Sequence, residues 1–186
     1  MQNASISPSL GQASPARPVD LGAVRAGDPD ALAACYRAHA PALLALVYRL
    51  TASRTDAEDV VHDVFVGLPE ALARYEERGQ FAAWLARIAT RVALAQQRRE
   101  ARFDDDAALD TLSDPPQPDR DVLTTDRVHR ALASLSPSLR HVFVLRVLHD
   151  HTHAQIAALL GISVNTSEVR LHRAVQQLRT LLRSLA

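Results

Sequence analysis

Residues 104–121, DDDAALDTLSDPPQPDRD, hold seven aspartates and three prolines against one arginine. Such a run has no apolar period, its charges repel one another, and its prolines lack the N–H that regular structure needs. It divides the chain, so folding has to occur on either side of it. Both flanks read as helical. The expected organisation is a disordered tail over 1–19, a helical domain over 20–103, an acidic linker over 104–121 and a second helical domain over 122–186. Composition agrees with an all-α fold. Apolar residues at 47% can build cores, while 4% aromatics and six glycines argue against a β-sandwich.

Charge separates the same segments. Residues 20–103 hold 11 Arg and 11 acids, the linker is net −6, and residues 122–186 hold 8 Arg against 3 acids with six of the eight histidines. The chain therefore reads as a neutral block, an acidic connector and a basic block. The single cysteine, Cys35, excludes an internal disulfide and fits a reducing cytoplasm. The N-terminal MQNASISPSLGQASPARP has no apolar centre and does not read as a signal peptide. The longest apolar run, APALLALVY, is short of the ~20 residues that span a bilayer, so no membrane insertion is expected. No nucleophile–base pair, carboxylate dyad or glycine-rich phosphate loop stands out, so no catalytic residue and no cofactor are assigned. His149, His151 and His153 in HDHTH have i, i+2 spacing and no cysteine partner, which suits a polar loop better than a metal site.

Helix signals are dense elsewhere. Asp28-Pro29 is a cap and first-position pair, and Pro41 is expected to split the run that follows near Ala40. Thr55 and Glu58 stand at capping-box spacing ahead of a stripe of Val60, Val61, Val64, Phe65 and Leu68. The turn ERGQ precedes a helix whose Phe81, Trp84, Leu85, Ile88 and Val92 follow one buried face. Ser136-Pro137 starts another helix, Thr152 caps the next, Gly161 supplies a left-handed turn, and Ser163 caps a last helix running to about Arg183.

The segment from Thr152 to Arg173 has the grammar of a helix-turn-helix: a short helix, small Ala157 at the crossing, Gly161 at the turn and Ile162 as a plug. In the last helix Val164, Leu171, Val175 and Leu178 are expected to be buried. Asn165, Thr166, Val169, His172, Arg173 and Gln176 then face outward, with Glu168 at the edge of that face.

TDAEDVVHDVFV, FAAWLARIATRVALAQQRRE, ALASLSPSLRHVFVLRVL and the helix-turn-helix, in this order, closely resemble the extracytoplasmic-function (ECF) group of bacterial RNA polymerase sigma factors. The resemblance covers about residues 20–186. It implies two helical domains, regions 2 and 4 of such factors, and it implies core RNA polymerase, promoter DNA and an anti-sigma factor as partners. Asp56, Glu58, Asp59, His62 and Asp63 would be the face offered to the polymerase clamp, with His62 where the family usually has Gln. Arg87, Arg91, Arg98, Arg99 and Arg102 would meet minus-10 phosphates, and the turn around Tyr75 would hold a flipped base. Trp84 is expected in the core. Asn165, Thr166, Glu168, Val169, Arg170, His172 and Arg173 would meet the minus-35 element.

Two residues depart from the family's usual pattern in that last helix. Ser167 stands where an apolar core residue is usual, which is expected to loosen packing by about 1 kcal/mol. Glu168 stands where a cation is usual. Both support an alternative reading: a degenerate sigma-like protein that binds polymerase or an anti-sigma factor without reading DNA.

Overall fold

A computed structural model describes residues 19–106 and 123–184, and every regular element among them is helical. The tail (1–18) and most of the acidic linker (107–121) lie outside the described residues. A short α1 (Leu21–Arg25) is capped by Asp20, whose side chain accepts from the Ala23 N–H. At five residues it is too short to show a period. The long α2 (Pro29–Thr51) starts as expected, with Asp28 accepting from the Ala31 N–H at 2.8 Å and Pro29 at the first position.

Pro41 does not split α2, contrary to expectation. Pro41 and Arg37 are both exposed, so the proline lies on the solvent side of the helix rather than in a core. Buried Cys35, Ala40, Leu43, Leu46 and Val47 hold the helix on both sides of the proline. The capping box at Thr55 is also corrected. Ser53 caps α3 (Arg54–Val66) by accepting from the Asp56 N–H, and Glu58 pairs with Arg54 at 2.9 Å. Gly67 ends α3, and Pro69 enters the first turn of a short α4 (Leu68–Leu72). The helix α5 (Phe81–Asp106) runs three residues into the segment expected to be linker.

The second unit contains α6 (Leu123–Ala133), α7 (Pro137–Phe143), α8 (His153–Leu160) and α9 (Val164–Ser184). At Val144 the α7 helix widens into one π turn, Val144–Leu148, which the sequence pattern did not suggest. That turn leaves Val147 and Leu148 exposed while Val144 and Leu145 stay buried.

There are two cores. Val60, Val61, Val64 and Phe65 of α3 pack on Leu43 and Val47 of α2 and on Leu85, Ala89 and Ala93 of α5. Leu132, Leu135, Val142, Leu145, Ile156, Ala174 and Leu178 form the other. Leu46 and Leu50 of α2 belong to this second core, so the two units touch through α2. By length and composition α2 is apolar enough to cross a membrane, and its buried residues are shared between these two cores.

Where the units meet, His141 is buried beside Arg140. Burial first, then the Arg140 cation, with Arg170 and Arg98 adding to it, push its imidazole down to about 4. The folded chain therefore holds this ring neutral, whereas the unfolded chain takes up a proton near pH 6.5. Its contribution is present above that pH and is lost as pH falls toward 4. The expected loss from this group is ~2–3 kcal/mol. His141→Leu is expected to flatten the decline of urea midpoints between pH 7 and pH 4.5 relative to wild type. Parallel declines in the two chains would refute this assignment.

Candidate functional site

Three surfaces collect the residues singled out by sequence. On α3, Glu58, Asp59, His62 and Asp63 are exposed, Asp56 is half-buried, and Val60, Val64 and Phe65 point into the core. Glu58 is engaged by Arg54 along the helix. Asp59 and Asp63 lie one turn apart on the same face, a like-charge spacing that costs an isolated helix about 0.2–0.5 kcal/mol. A cationic partner would convert that cost into attraction.

The second surface is a hollow of about 230 Å3 lined by Arg74, Tyr75, Glu76, Arg78, Gln80, Trp84 and Arg87. Its floor is aromatic. The Tyr75 and Trp84 rings lie 4.5 Å apart, and Phe81 stands 5.7 Å from each. Trp84 is half-buried against the first core yet also lines the hollow, so its expected core role is only part of its place. The loop is fixed from within. Glu77 accepts from the Gly79 N–H at 2.6 Å and from the Tyr75 hydroxyl at 3.4 Å, while Arg25 donates to the Tyr75 carbonyl. Gly79 has φ +70, a conformation that favours glycine.

Of the arginines assigned to this region, Arg87 is at the hollow itself, and Arg91 and Arg99 are exposed on α5. Arg98 is exposed, but it donates back to the Leu94 carbonyl at 3.0 Å and its charge acts on His141 of the second unit. The side chain of Arg102 lies outside the described residues. Thr90 is buried with its hydroxyl on the Ala86 carbonyl, so it presents nothing to a ligand.

The third surface is the helix-turn-helix. Thr152 and Gln155 close a capping box at α8, with backbone-to-side-chain bonds of 2.8 and 3.2 Å. Gly161 has φ +68 and turns the chain. Ser163 then caps α9, accepting from the Thr166 N–H at 3.0 Å.

The buried face of α9 differs from the expected one. Val164 is 44% exposed, whereas Ser167, Ala174 and Leu178 are buried and Leu171 is half-buried. The helix is rolled by about 40° from the stripe expected, at 100° per residue. Asn165, Glu168, Val169, His172 and Arg173 are exposed. Thr166 and Arg170 are half-buried, and the Thr166 hydroxyl is held 2.8 Å from Ser163 Oγ in the cap. The roll carries Glu168 further onto the exposed face.

A polar joint that sequence reasoning missed accompanies this difference. Ser167 is fully buried, and its Oγ lies 2.9 Å from His153 Nδ1 at the start of α8. Ser167 therefore does not simply stand where an apolar residue should: its hydroxyl is satisfied. The signal was available as a histidine and an atypical serine, fourteen residues apart across the turn. His151 turns away to the His149 carbonyl at 3.0 Å, and among the described residues no cluster of three ligating side chains could hold a metal.

Residues 35–103 match the family model for Sigma-70 region 2, and residues 125–178 match that for Sigma-70, region 4. The ECF RNA polymerase sigma factor SigE of Mycolicibacterium smegmatis is 32% identical over 153 residues. That alignment covers 78% of this chain, which spans only 59% of the length of SigE. The RNA polymerase sigma factor CnrH of Cupriavidus metallidurans is 34% identical over 141 residues, covering 69% of this chain and 74% of CnrH. The structure of CnrH in complex with the cytosolic domain of CnrY covers 89% of this chain and 96% of that one, with a TM-score of 0.54 and 27% identity. The sigma factor RpoE in complex with the anti-sigma factor NepR, from Bartonella quintana, covers 77% and 91%, with a TM-score of 0.59 and 26% identity.

If the His153–Ser167 bond sets the seating of α9, the two residues are energetically coupled. Ser167→Val and His153→Leu should each cost about 1 kcal/mol, because each leaves a desolvated polar partner. The double variant should recover much of that loss. Additive losses in a double-mutant cycle of urea unfolding would show that the bond contributes nothing.

Proposed function

The chain belongs to the ECF RNA polymerase sigma factors, and from that premise we propose how its three surfaces divide the work of promoter-specific initiation. The acidic face of α3, centred on Asp59 and Asp63 with His62 between them, docks on the clamp of core polymerase. The hollow floored by Tyr75 and Trp84 takes a base flipped out of the minus-10 strand, with Arg87 and Arg91 on the adjoining phosphates. The helix α9 lies in the minus-35 major groove and offers Asn165, Glu168, Val169, His172 and Arg173 to base edges and backbone. Polymerase performs the chemistry, in the cytoplasm. This chain supplies binding energy and specificity as a transcription regulator.

One observation carries this reading. A single chain presents an aromatic-floored, arginine-rimmed hollow on one unit and a helix-turn-helix with an exposed second helix on the other. The hollow is smaller than the ~300 Å3 or more of drug-sized sites, which suits one flat base held by stacking. CnrH and RpoE were each solved in complex with a second protein, the cytosolic domain of CnrY and the anti-sigma factor NepR. By that likeness an anti-sigma factor is the proposed regulator of this chain. Run-off transcription with core polymerase on a genomic library tests the whole reading and identifies the promoter.

Asp59→Arg with Asp63→Arg reverses two exposed charges without entering the core. Holoenzyme formation should be abolished while helical content is unchanged, and unaltered co-purification with core polymerase would overturn the clamp assignment. On α9, Glu168→Arg should raise affinity for minus-35 duplex and steepen its salt dependence by about one unit of slope or less. Arg173→Ala should do the reverse. If Glu168 instead accepts from a cytosine amine, its replacement costs about 1–3 kcal/mol of discrimination at one base pair. If neither variant changes binding to any duplex, α9 does not touch DNA, and the sigma-like interaction protein becomes the better reading.

A further inference from the structure

The exposed face of α9 has an apolar centre. Ser167, Ala174 and Leu178, with half-buried Leu171, fix the stripe that this helix turns to the second core. At 100° per residue Val169 stands about 170° from the middle of that stripe, on the line furthest from the core. Asn165, His172 and Arg173 flank it at about 130–150°, and Glu168 lies at about 90°, on the side of the helix. Val169 is 41% exposed and packs in neither core. An isolated exposed valine is ordinary on a protein surface. Its place on this helix gives it meaning.

A helix seated in the major groove puts its outermost line on the base edges and its sides toward the phosphate walls. A valine on that line is short, so the helix axis can come close to the groove floor, while His172 and Arg173 reach past it. It also has no donor or acceptor. In the major groove N7, O6, O4 and the amines are polar, and the thymine 5-methyl is the one apolar feature of the four bases. Pressed against a valine, a cytosine or adenine amine loses water and gains no partner. A thymine methyl loses only apolar hydration, which is favourable. Valine is β-branched and holds one preferred χ1 rotamer in a helix, so its methyls are in position before contact.

We propose that Val169 is a specificity-determining residue of this chain: it reads the 5-methyl group of a thymine in the minus-35 element. The inference rests on the placement of α9 in the minus-35 groove and adds which base-edge feature its centre selects. It also separates two kinds of contact on one helix. Arg173 attracts any phosphate backbone and weakens with salt, whereas an apolar contact releases no counterion and does not.

The test uses holoenzyme assembled from the full chain and core polymerase, with promoter duplexes that this holoenzyme selects from a randomised library. The recovered minus-35 element should hold a thymine at a fixed position. Uracil pairs as thymine does and lacks only the 5-methyl, so exchanging that thymine for uracil deletes a single methyl group. Wild-type binding should weaken by about fourfold, the effect of one apolar carbon left unburied. The factor should be the same at low and high salt. Val169→Ala should bind the thymine and uracil duplexes equally, and should lose its preference at that position while keeping it at the others.

A selected element with no fixed thymine would overturn the inference. So would uracil at every thymine of the element with no effect on the wild type. An equal loss with uracil in the wild type and in Val169→Ala would show that the methyl is read by another group or through the shape of the duplex, and would remove Val169 from the role. Each of these outcomes leaves α9 in the groove. Selected promoters with no minus-35 preference at all would instead overturn the placement of α9, and the inference with it.

Discussion

The structure depends on α2 serving two cores from neighbouring strips of one face, about 60° apart at 100° per residue. Leu43 and Val47 pack with α3 and α5, while Leu46 and Leu50 pack with the second unit. A face shared by two cores cannot shift or rotate without disturbing each of them, so it sets the position of both. Its C-terminal end is then the point of greatest electrostatic demand. Ala52 leaves the helix in the left-handed region, φ +61, and the final carbonyls have no helical donors. Arg140 answers that demand with a charge where solvent would otherwise do so.

Much of this was legible in the sequence because local rules and tertiary needs agree there. Asp28-Pro29, Thr152 with Gln155, Gly161 and Ser163 mark helix boundaries whose hydrogen bonds are made within a turn or two, and such signals need no knowledge of the rest of the fold. Pro41 misled because it lies on the exposed side of α2 while buried residues on both sides of it hold the helix. Ser53 was overlooked as a cap because Thr55 and Glu58 offer the same spacing two residues later, and Arg54 takes Glu58 instead. The π turn at Val144–Leu148 has no local signature at all. The apolar residues there fit α and π periods equally over five positions.

The exposed face of α9 shows where pattern reading fails for function. Hydrophobicity placed Val164 inside and treated Ser167 as a defect. The arrangement inverts this: Ser167 is buried with its hydroxyl against a histidine of α8, and Val164 is exposed. A pairwise polar joint between two helices is invisible to any average over one helix. The consequence reaches the proposed site, because the roll changes which side chains could meet a groove. The exposed acidic face of α3 was closer to the sequence expectation, since it depends on residues adjacent along one helix, whereas the hollow joins a loop to α5 and takes in Trp84, which was expected in the core.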